Sequence, residues 1–115
     1  MKFSYKTEEL KNIVVIHFAG SILDKSEAAD LLTLIDEYLE KGTNKFVVNL
    51  SQIDYINSSG LGILINILTM SRNKYGELVV CEIPEKVTKL IVTSKLQNIF
   101  QITENQSLAI EKLKK

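Results

Sequence analysis

Apolar positions follow strand spacing in some segments of the chain and helical spacing in others, and the first segments predict strands. A β-branched apolar run covers Ile13–Ala19, and a first strand is predicted around Phe3–Thr7. Only the short polar segment Glu8–Asn12 separates the two. Because a gap of this length suits a turn, we predict an antiparallel hairpin at the start of the fold.

The next segment, Asp24–Lys41, has the spacing of an amphipathic helix. Asp24 and Glu27 have the spacing of a capping box, and Gly42 is expected at a left-handed helix stop. The apolar residues of this segment share one stripe: Ala28, Leu31, Leu32, Ile35, Tyr38 and Leu39.

Two apolar runs with a helix between them predict a parallel crossover in the middle of the chain. Lys45–Leu50 and Leu78–Cys81 read as buried strands, and a helix is predicted from about Ser59 to Tyr75. Ser51–Asn57 is expected to be the connection into that helix. Strand, helix and strand with short joints favour the right-handed arrangement.

The last third of the chain completes an α/β pattern. Ile83 and Pro84 open a predicted helix, and Gln101–Thr103 is a short edge strand. Thr103 and Gln106 have capping-box spacing before a terminal helix, while Gly76 is expected to end the second helix. We predict one domain over residues 1–115: a mostly parallel mixed sheet of about five strands, with an N-terminal antiparallel hairpin and about four helices.

Charge and composition exclude several classes of partner. The chain has 14 Lys and Arg against 14 Asp and Glu, so its net charge is zero, which argues against nucleic acid and anionic membranes as partners. The longest apolar stretch, Leu61–Leu68, is too short for membrane insertion. Cys81 has no second cysteine to pair with, and the first residues lack the apolar core of a signal peptide. We therefore expect a cytoplasmic protein.

The segment with the most chemical information is Asn57-Ser58-Ser59-Gly60-Leu61-Gly62. It lies where a predicted strand gives way to a helix N-terminus, an edge of α/β sheets at which ligands and partners commonly bind and where an anion is favoured. Its two glycines keep side-chain bulk away from the first turn, so that another molecule's backbone could come close.

Three enzyme interpretations of this segment fail on spacing. No Lys follows the glycines as a P-loop requires, and Ile65 stands where a dinucleotide fingerprint needs a small residue. Neither serine has the leading glycine of a nucleophile elbow, and the one His, His17, lies in an apolar strand. We therefore predict a protein with no catalytic residues, no cofactor and no metal site.

Several residues keep two interpretations at this point. Ser58 or Ser59 can simply cap the helix, and Asp24 can be a cap, part of a partner-facing rim, or both. Ile63 and Ile67 are either buried or part of an exposed apolar docking strip. Cys81 is interpreted as a small buried hydrophobic residue.

Four motifs in order carry a resemblance to a known family. They are Gly20-Ser21-Ile22-Leu23-Asp24, Asn49-Leu50-Ser51, the Asn57–Gly62 segment, and Leu96-Gln97-Asn98-Ile99-Phe100 followed by Ile102. Together they resemble the STAS-domain family, in particular the stand-alone anti-sigma-factor antagonists. Asn49 and Asn57 stand where that family usually has Asp, which leaves open whether the serine of the motif is phosphorylated.

The resemblance implies a protein-binding switch without catalytic activity. In the family the second serine of the motif, here Ser59, is phosphorylated by an anti-sigma factor that is itself a serine kinase. The unmodified antagonist sequesters that kinase, and a PP2C-type phosphatase restores it. The alternative within the family is a cytoplasmic STAS subunit of a lipid or anion transporter. The partner-binding residues implied are Ser21, Asp24, Asn57, Ser58, Ser59, Gly60, Leu61, Gly62 and Ile63.

Overall fold

A five-stranded sheet in the order β1-β2-β3-β4-β5 forms the centre of the fold. The structure is a computed structural model that describes residues 2–114. β1 is antiparallel to β2, and the other neighbouring strands are parallel. This arrangement confirms the predicted α/β fold class. The strands are β1 (Ser4–Leu10), β2 (Ile13–Ile22), β3 (Lys45–Ile56), β4 (Glu77–Cys81) and β5 (Gln101–Thr103).

Helices cover both faces of the sheet, as a parallel sheet requires. Within residues 2–114 the α-helices are α1 (Ala29–Glu40), α2 (Ser58–Asn73), α3 (Glu85–Thr93) and α4 (Gln106–Leu113). The larger core packs one face of the sheet against α1, α2 and α3. The smaller core packs the other face, including Val15, Val47 and Val79, against α4. Successive strand residues therefore alternate between two cores.

The N-terminal hairpin is confirmed, but its first strand is longer than predicted. β1 continues to Leu10, so the turn consists only of Lys11 and Asn12. Asn12 adopts a left-handed conformation with φ of 63°, which asparagine tolerates better than most residues. Glu8 and Glu9 pair with Val15 and Val14 while remaining exposed, because β1 is an edge strand and its polar residues face solvent.

The predicted connection over Ser51–Asn57 is wrong, because β3 continues to Ile56. Beyond Asn49 the strand has lost β4 as a neighbour, since their pairing ends at Asn49 and Cys81. It continues to pair with β2 as far as Ile56, past two register shifts in β2. Ser51–Ile56 is therefore half of a two-stranded extension, and its polar residues are exposed.

The first predicted helix begins as a 3₁₀ turn over Lys25–Ala28 and becomes α1 at Ala29. The capping box is confirmed: Asp24 Oδ1 accepts from Ser26 N at 3.1 Å, and Glu27 Oε1 accepts from Asp24 N at 3.0 Å. Gly42 has the expected left-handed conformation, with φ of 96°.

Two predicted helix boundaries are wrong in detail. After α2 the left-handed residue is Tyr75, with φ of 63°, and Gly76 is needed for a different reason. A Cβ at Gly76 would overlap the backbone carbonyl of Asn44. The terminal helix is capped by Asn105, whose Oδ1 accepts from Leu108 N at 2.9 Å, and not by Thr103. The edge strand at Gln101–Thr103 is confirmed.

Candidate functional site

The carboxyl ends of β2 and β3 lie side by side and bring two of the predicted motifs together. Ser21 pairs with Tyr55, and Ile22 pairs with Ile56. Because both strands run in the same direction, the segments that follow them leave the sheet at one edge. The chain after β2 therefore lies beside Asn57, where α2 is about to begin.

Asn57 is the residue that caps α2. Its backbone is extended, and its Oδ1 accepts from Ser59 N at 3.0 Å and from Gly60 N at 3.2 Å. Two of the four backbone donors that a helix start leaves unpaired are thereby satisfied. The interpretation of Ser58 or Ser59 as the cap is therefore wrong, since both already lie in the first turn.

The same side chain ties α2 to β2. Asn57 Nδ2 donates to the backbone carbonyl of Leu23 at 3.1 Å, and the backbone N–H of Asn57 donates to Ile22 O at 3.4 Å. A carboxylate could reproduce the cap, but it has no proton to donate to Leu23. The amide therefore has a structural role that the aspartate of the family pattern could not fill.

Asn49, the other departure from the family pattern, also uses both ends of its amide. Within residues 2–114 it is one of two buried polar residues, with 4% of its surface exposed. Its Nδ2 donates to Gln106 Oε1 at 3.0 Å, and its Oδ1 accepts from Ser51 N at 2.9 Å. An aspartate here would bury a charge facing another acceptor, which is costly without a paired donor. Asn49 links β3 to α4 and lies outside the surface around α2.

The hydroxyls of Ser58 and Ser59 are available for chemistry. Ser58 is exposed and Ser59 is half-buried, and both lie at the start of α2. Within residues 2–114 neither hydroxyl forms a hydrogen bond with the protein. Asn57 holds the backbone around them in place, so that both hydroxyls have a fixed position but remain free of hydrogen bonds to residues 2–114.

Asp24 and Ser21 form the other side of this region. Asp24 is exposed, and its carboxylate is used by the 3₁₀ turn that it caps. Glu27 Oε1 also accepts from the backbone N–H of Leu23 at 3.0 Å, so the whole exit from β2 is fixed. Ser21 is half-buried in β2. The structural role predicted for Asp24 is confirmed, and a partner-facing role stays a prediction.

Three residues of the predicted partner-binding set have no side chain at the surface. Gly60 is buried, Leu61 is 1% exposed and Ile63 is fully buried. Ile67 is fully buried as well, so of the two interpretations left open for Ile63 and Ile67 burial is correct and the exposed docking strip is wrong. The reason is that α2 packs against the sheet and beside α1 on the same face, so that its apolar residues are covered.

The two glycines of the motif serve packing within the chain. A Cβ at Gly60 would overlap the side chain of Ile56, so glycine lets α2 approach β3. A Cβ at Gly62 would lie 2.9 Å from Lys25 Cε, because the lysine side chain crosses the helix there. The expected open approach for another backbone is absent at Gly60, and at Gly62 it is covered by a flexible side chain.

The structure adds an exposed apolar surface that the sequence reasoning missed. Leu23 is 55% exposed and Tyr55 is 52% exposed, and they flank the segment that begins α2. Tyr55 also borders a groove of about 270 Å³ whose other wall is α3, including Val87 and Leu90. Leu23 lies in the Gly20–Asp24 motif, and Tyr55 lies in the segment predicted to be a connection. No periodic signal marked either residue, because neither belongs to an amphipathic stripe.

Two further residues have the structural roles predicted for them. Cys81 is fully buried, and burial together with the charge of Glu82 raises the pKa of its thiol to about 12. His17 is a strand residue whose Nε2 lies 3.3 Å from Glu8 Oε1. Across residues 2–114 there is no group of three or more His, Cys, Asp or Glu side chains arranged to hold a metal ion.

The family follows from a match along almost the whole chain. A protein-family model described as the STAS domain matches residues 4–109. The chain therefore belongs to the STAS-domain family, as its four motifs predicted.

Individual relatives and solved structures agree with this assignment. The chain is 25% identical over 114 residues to an anti-sigma F factor antagonist from Paenibacillus polymyxa, which covers 98% of this chain and 97% of that protein. A crystal structure of a candidate anti-sigma factor antagonist from Thermotoga maritima matches with a TM-score of 0.85 and 26% identity, covering 96% of this chain and 95% of the other.

A more distant structure shows the same fold. The Bacillus cell fate determinant SpoIIAA in its phosphorylated form matches with a TM-score of 0.73 and 18% identity, covering 95% of this chain and 98% of that chain. In the part of the chain that the structure describes, no helix combines the length and apolar character needed to cross a membrane.

Proposed function

We propose that this chain is an anti-sigma factor antagonist whose binding to an anti-sigma factor serine kinase is controlled by phosphorylation at Ser59. The unmodified chain sequesters the kinase, and a PP2C-type phosphatase regenerates it after phosphorylation. We place this exchange in the cytoplasm and assign the chain no catalytic step of its own. Support at the level of the family comes from the STAS-domain match and from relatives named as anti-sigma factor antagonists.

The observation that carries the proposal is the state of the Ser59 hydroxyl. It is half-buried, has no hydrogen-bond partner within residues 2–114, and lies in a helix turn whose backbone is held by Asn57. A hydroxyl presented in this way can enter a kinase active site without breaking a contact of the fold.

The fold should accept the modification, whereas a partner interface should not. Phosphorylation adds about −1.5 to −2 charges, and at a helix N-terminus a negative charge is favoured by roughly 0.3–1 kcal/mol. In an interface built against a neutral serine, the same charge has to be desolvated and faces groups arranged for a hydroxyl. The net charge of the free chain is zero, so a single phosphate would give the chain a net charge of about −1.5 to −2.

The proposed partner surface comprises the exposed and half-buried residues around this serine. Ser21, Asp24, Asn57, Ser58, Ser59 and Gly62 keep their proposed roles, and the exposed Leu23 and Tyr55 add apolar area. Tyrosine is a frequent anchor of protein interfaces, and the polar residues around it would supply the rim.

Intact-mass analysis of the chain recovered from its native cells tests the proposal. We expect a fraction that carries the mass of one phosphoryl group, and we expect Ser59→Ala to abolish it. Ser58→Ala is the matched control, because it removes the neighbouring hydroxyl from the same turn and should leave the modification in place.

Co-purification separates the proposal from the alternative within the family. A serine kinase recovered with the unmodified chain and lost on Ser59→Glu would support the switch. A mass gain that persists in Ser59→Ala would contradict the assignment of the site. Recovery of transporter components, with no phosphorylated fraction, would favour the transporter-subunit alternative.

A further inference from the structure

A second concave site lies away from the α2 segment, between α3 and the last two strands. It is a cleft of about 420 Å³, a size typical of small-molecule sites. Its apolar walls come from Ile83 and from Ile91 and Val92 on α3, with Ile102 on β5 opposite. Val92 is 51% exposed and Ile102 is 42% exposed, so apolar surface remains open to solvent there.

The lining of this cleft includes two acidic residues. Glu82 follows β4 and Glu104 follows β5, and both line the cleft. The backbone N–H of Glu82 donates to the carbonyl of Glu104 at 3.3 Å, which holds the two residues side by side. Within residues 2–114 no Lys or Arg lines the cleft, and neither glutamate forms an ion pair.

Glu82 is held there in a conformation that its side chain disfavours. Its φ is 52°, a left-handed value at which glycine or asparagine would be less strained. One of its carboxylate oxygens, Oε2, accepts from Gln106 N at 3.1 Å at the start of α4. The remaining oxygen has no partner within residues 2–114. Strained residues that present a charged group are frequent at binding sites.

We propose that this cleft binds a small molecule consisting of an apolar chain that ends in an ammonium group. The chain would contact Ile91, Val92 and Ile102, and the ammonium would lie between the carboxylates of Glu82 and Glu104. Two uncompensated carboxylates at an apolar cleft favour a cation and disfavour an anion. β5 is only three residues long, so it offers few backbone partners to an added peptide strand, which argues for a small molecule.

The cleft and the groove beside Tyr55 use different residues of α3, so the two proposals can be tested separately. Thr88, Ile91 and Val92 line the cleft, whereas Val87 and Leu90 line the groove. A negative result at the cleft leaves the phosphorylation proposal unaffected, and the reverse also holds.

Titration with n-hexylammonium, followed through the backbone amide resonances of the full chain, tests the site at neutral pH. We expect saturable shifts at Ile91, Val92, Ile102 and Glu104. Hexan-1-ol, which has the same chain without the charge, should bind about tenfold more weakly because it loses the charge-assisted contact. Hexanoate should bind more weakly still.

Variants locate the binding. The double variant Glu82→Gln with Glu104→Gln should raise the dissociation constant for n-hexylammonium about tenfold. Glu40→Gln on α1 is the matched control, since it removes an exposed carboxylate far from the cleft and should leave the affinity unchanged. Val92→Trp keeps both carboxylates, fills the cleft from an exposed position, and should also abolish saturable binding.

Several results would overturn the proposal. They are shifts that do not saturate, equal binding of hexan-1-ol, and an unchanged affinity in the double glutamine variant. If Val92→Trp still binds n-hexylammonium, the ligand is attracted to surface charge and does not use the cleft, which would also overturn the proposal. If the double variant fails to fold, the Val92→Trp result decides alone.

Discussion

At the scale of single residues, Asn57 shows how one side chain can organise a site. Its oxygen caps α2 at Ser59 and Gly60, and its nitrogen donates to the carbonyl of Leu23. Ser, Asn and Asp are all good caps, so the local sequence Asn57-Ser58-Ser59 could not show which residue caps the helix. The bonds from Ser59 N and Gly60 N identify Asn57 as the cap, and an aspartate at this position could not also donate to the carbonyl of Leu23.

Replacing Asn57 by Ala should destabilise the fold by roughly 0.5–2 kcal/mol, because a helix cap is lost. Chemical denaturation measures this as a lower free energy of unfolding. Ser58→Ala is the control and should change stability by less than about 0.5 kcal/mol, since its exposed hydroxyl has no partner within residues 2–114. An equal loss of unfolding free energy in both variants would contradict the assignment of Asn57 as the residue that caps α2.

At the scale of elements, α2 is buried more completely than its sequence indicated. Apolar residues nearly all round a helix can mean either burial on two sides or an exposed docking strip. The choice depends on whether α1 packs beside α2, which the sequence of α2 alone does not contain. The structure places Ile63 and Ile67 in the core, so their apolar side chains serve packing.

Ile63→Ala should therefore lower the free energy of unfolding by about 2–5 kcal/mol, through lost apolar burial and the cavity left behind. Leu23→Ala is the matched control, because it also truncates an aliphatic side chain at this region but from a position that is 55% exposed. Its effect should stay below about 1 kcal/mol. A small effect of Ile63→Ala would show that α2 is not packed as described.

The full length of β3 also could not be predicted from local sequence, because it depends on a neighbouring strand. Ser51–Ile56 contains polar residues that interrupt the apolar run, and the sequence rule for buried strands stops at Leu50. The segment is a strand because β2 offers a pairing edge as far as Ile22. That partner lies about thirty positions earlier in the chain, so no local pattern reports it.

At the scale of the whole molecule, Cys81 reports on the integrity of the smaller core. It is buried beneath α4, and its thiol pKa is raised to about 12 from the ordinary value of 9.0. The folded state therefore binds this proton more tightly than the unfolded state. The corresponding stability is fully present below pH 9 and is lost as the pH rises towards 12.

Labelling of Cys81 by a thiol reagent at pH 8 should consequently be at least about 100-fold slower in the native chain than in denaturant, because thiolate is scarce and access is blocked. The chain has one cysteine, so the signal needs no correction for a second thiol. Comparable rates in the two states would contradict the burial of β4 under α4.

A negative charge at the start of α2 should leave the whole fold intact. Ser59→Glu should change the free energy of unfolding by less than about 1 kcal/mol, because the helix N-terminus favours an anion. Ser71→Glu makes the same substitution later in α2, where the serine is fully buried and its Oγ donates to Ile67 O at 2.7 Å. That variant should lose more than about 3 kcal/mol. Thermal and chemical unfolding would compare the two.

The sequence by itself determined the α/β class, the hairpin, the capping box at Asp24 and the family, because these depend on local spacing and on motifs that lie in order along the chain. Tertiary structure alone decided the cap at Asn57, the full length of β3, the burial of Ile63 and the exposed pair Leu23 and Tyr55. Each of these depends on which element lies alongside, and the contacts involved join residues far apart in sequence. The cleft at Glu82 and Glu104 belongs to the same group, since it exists only because β4 and β5 end side by side.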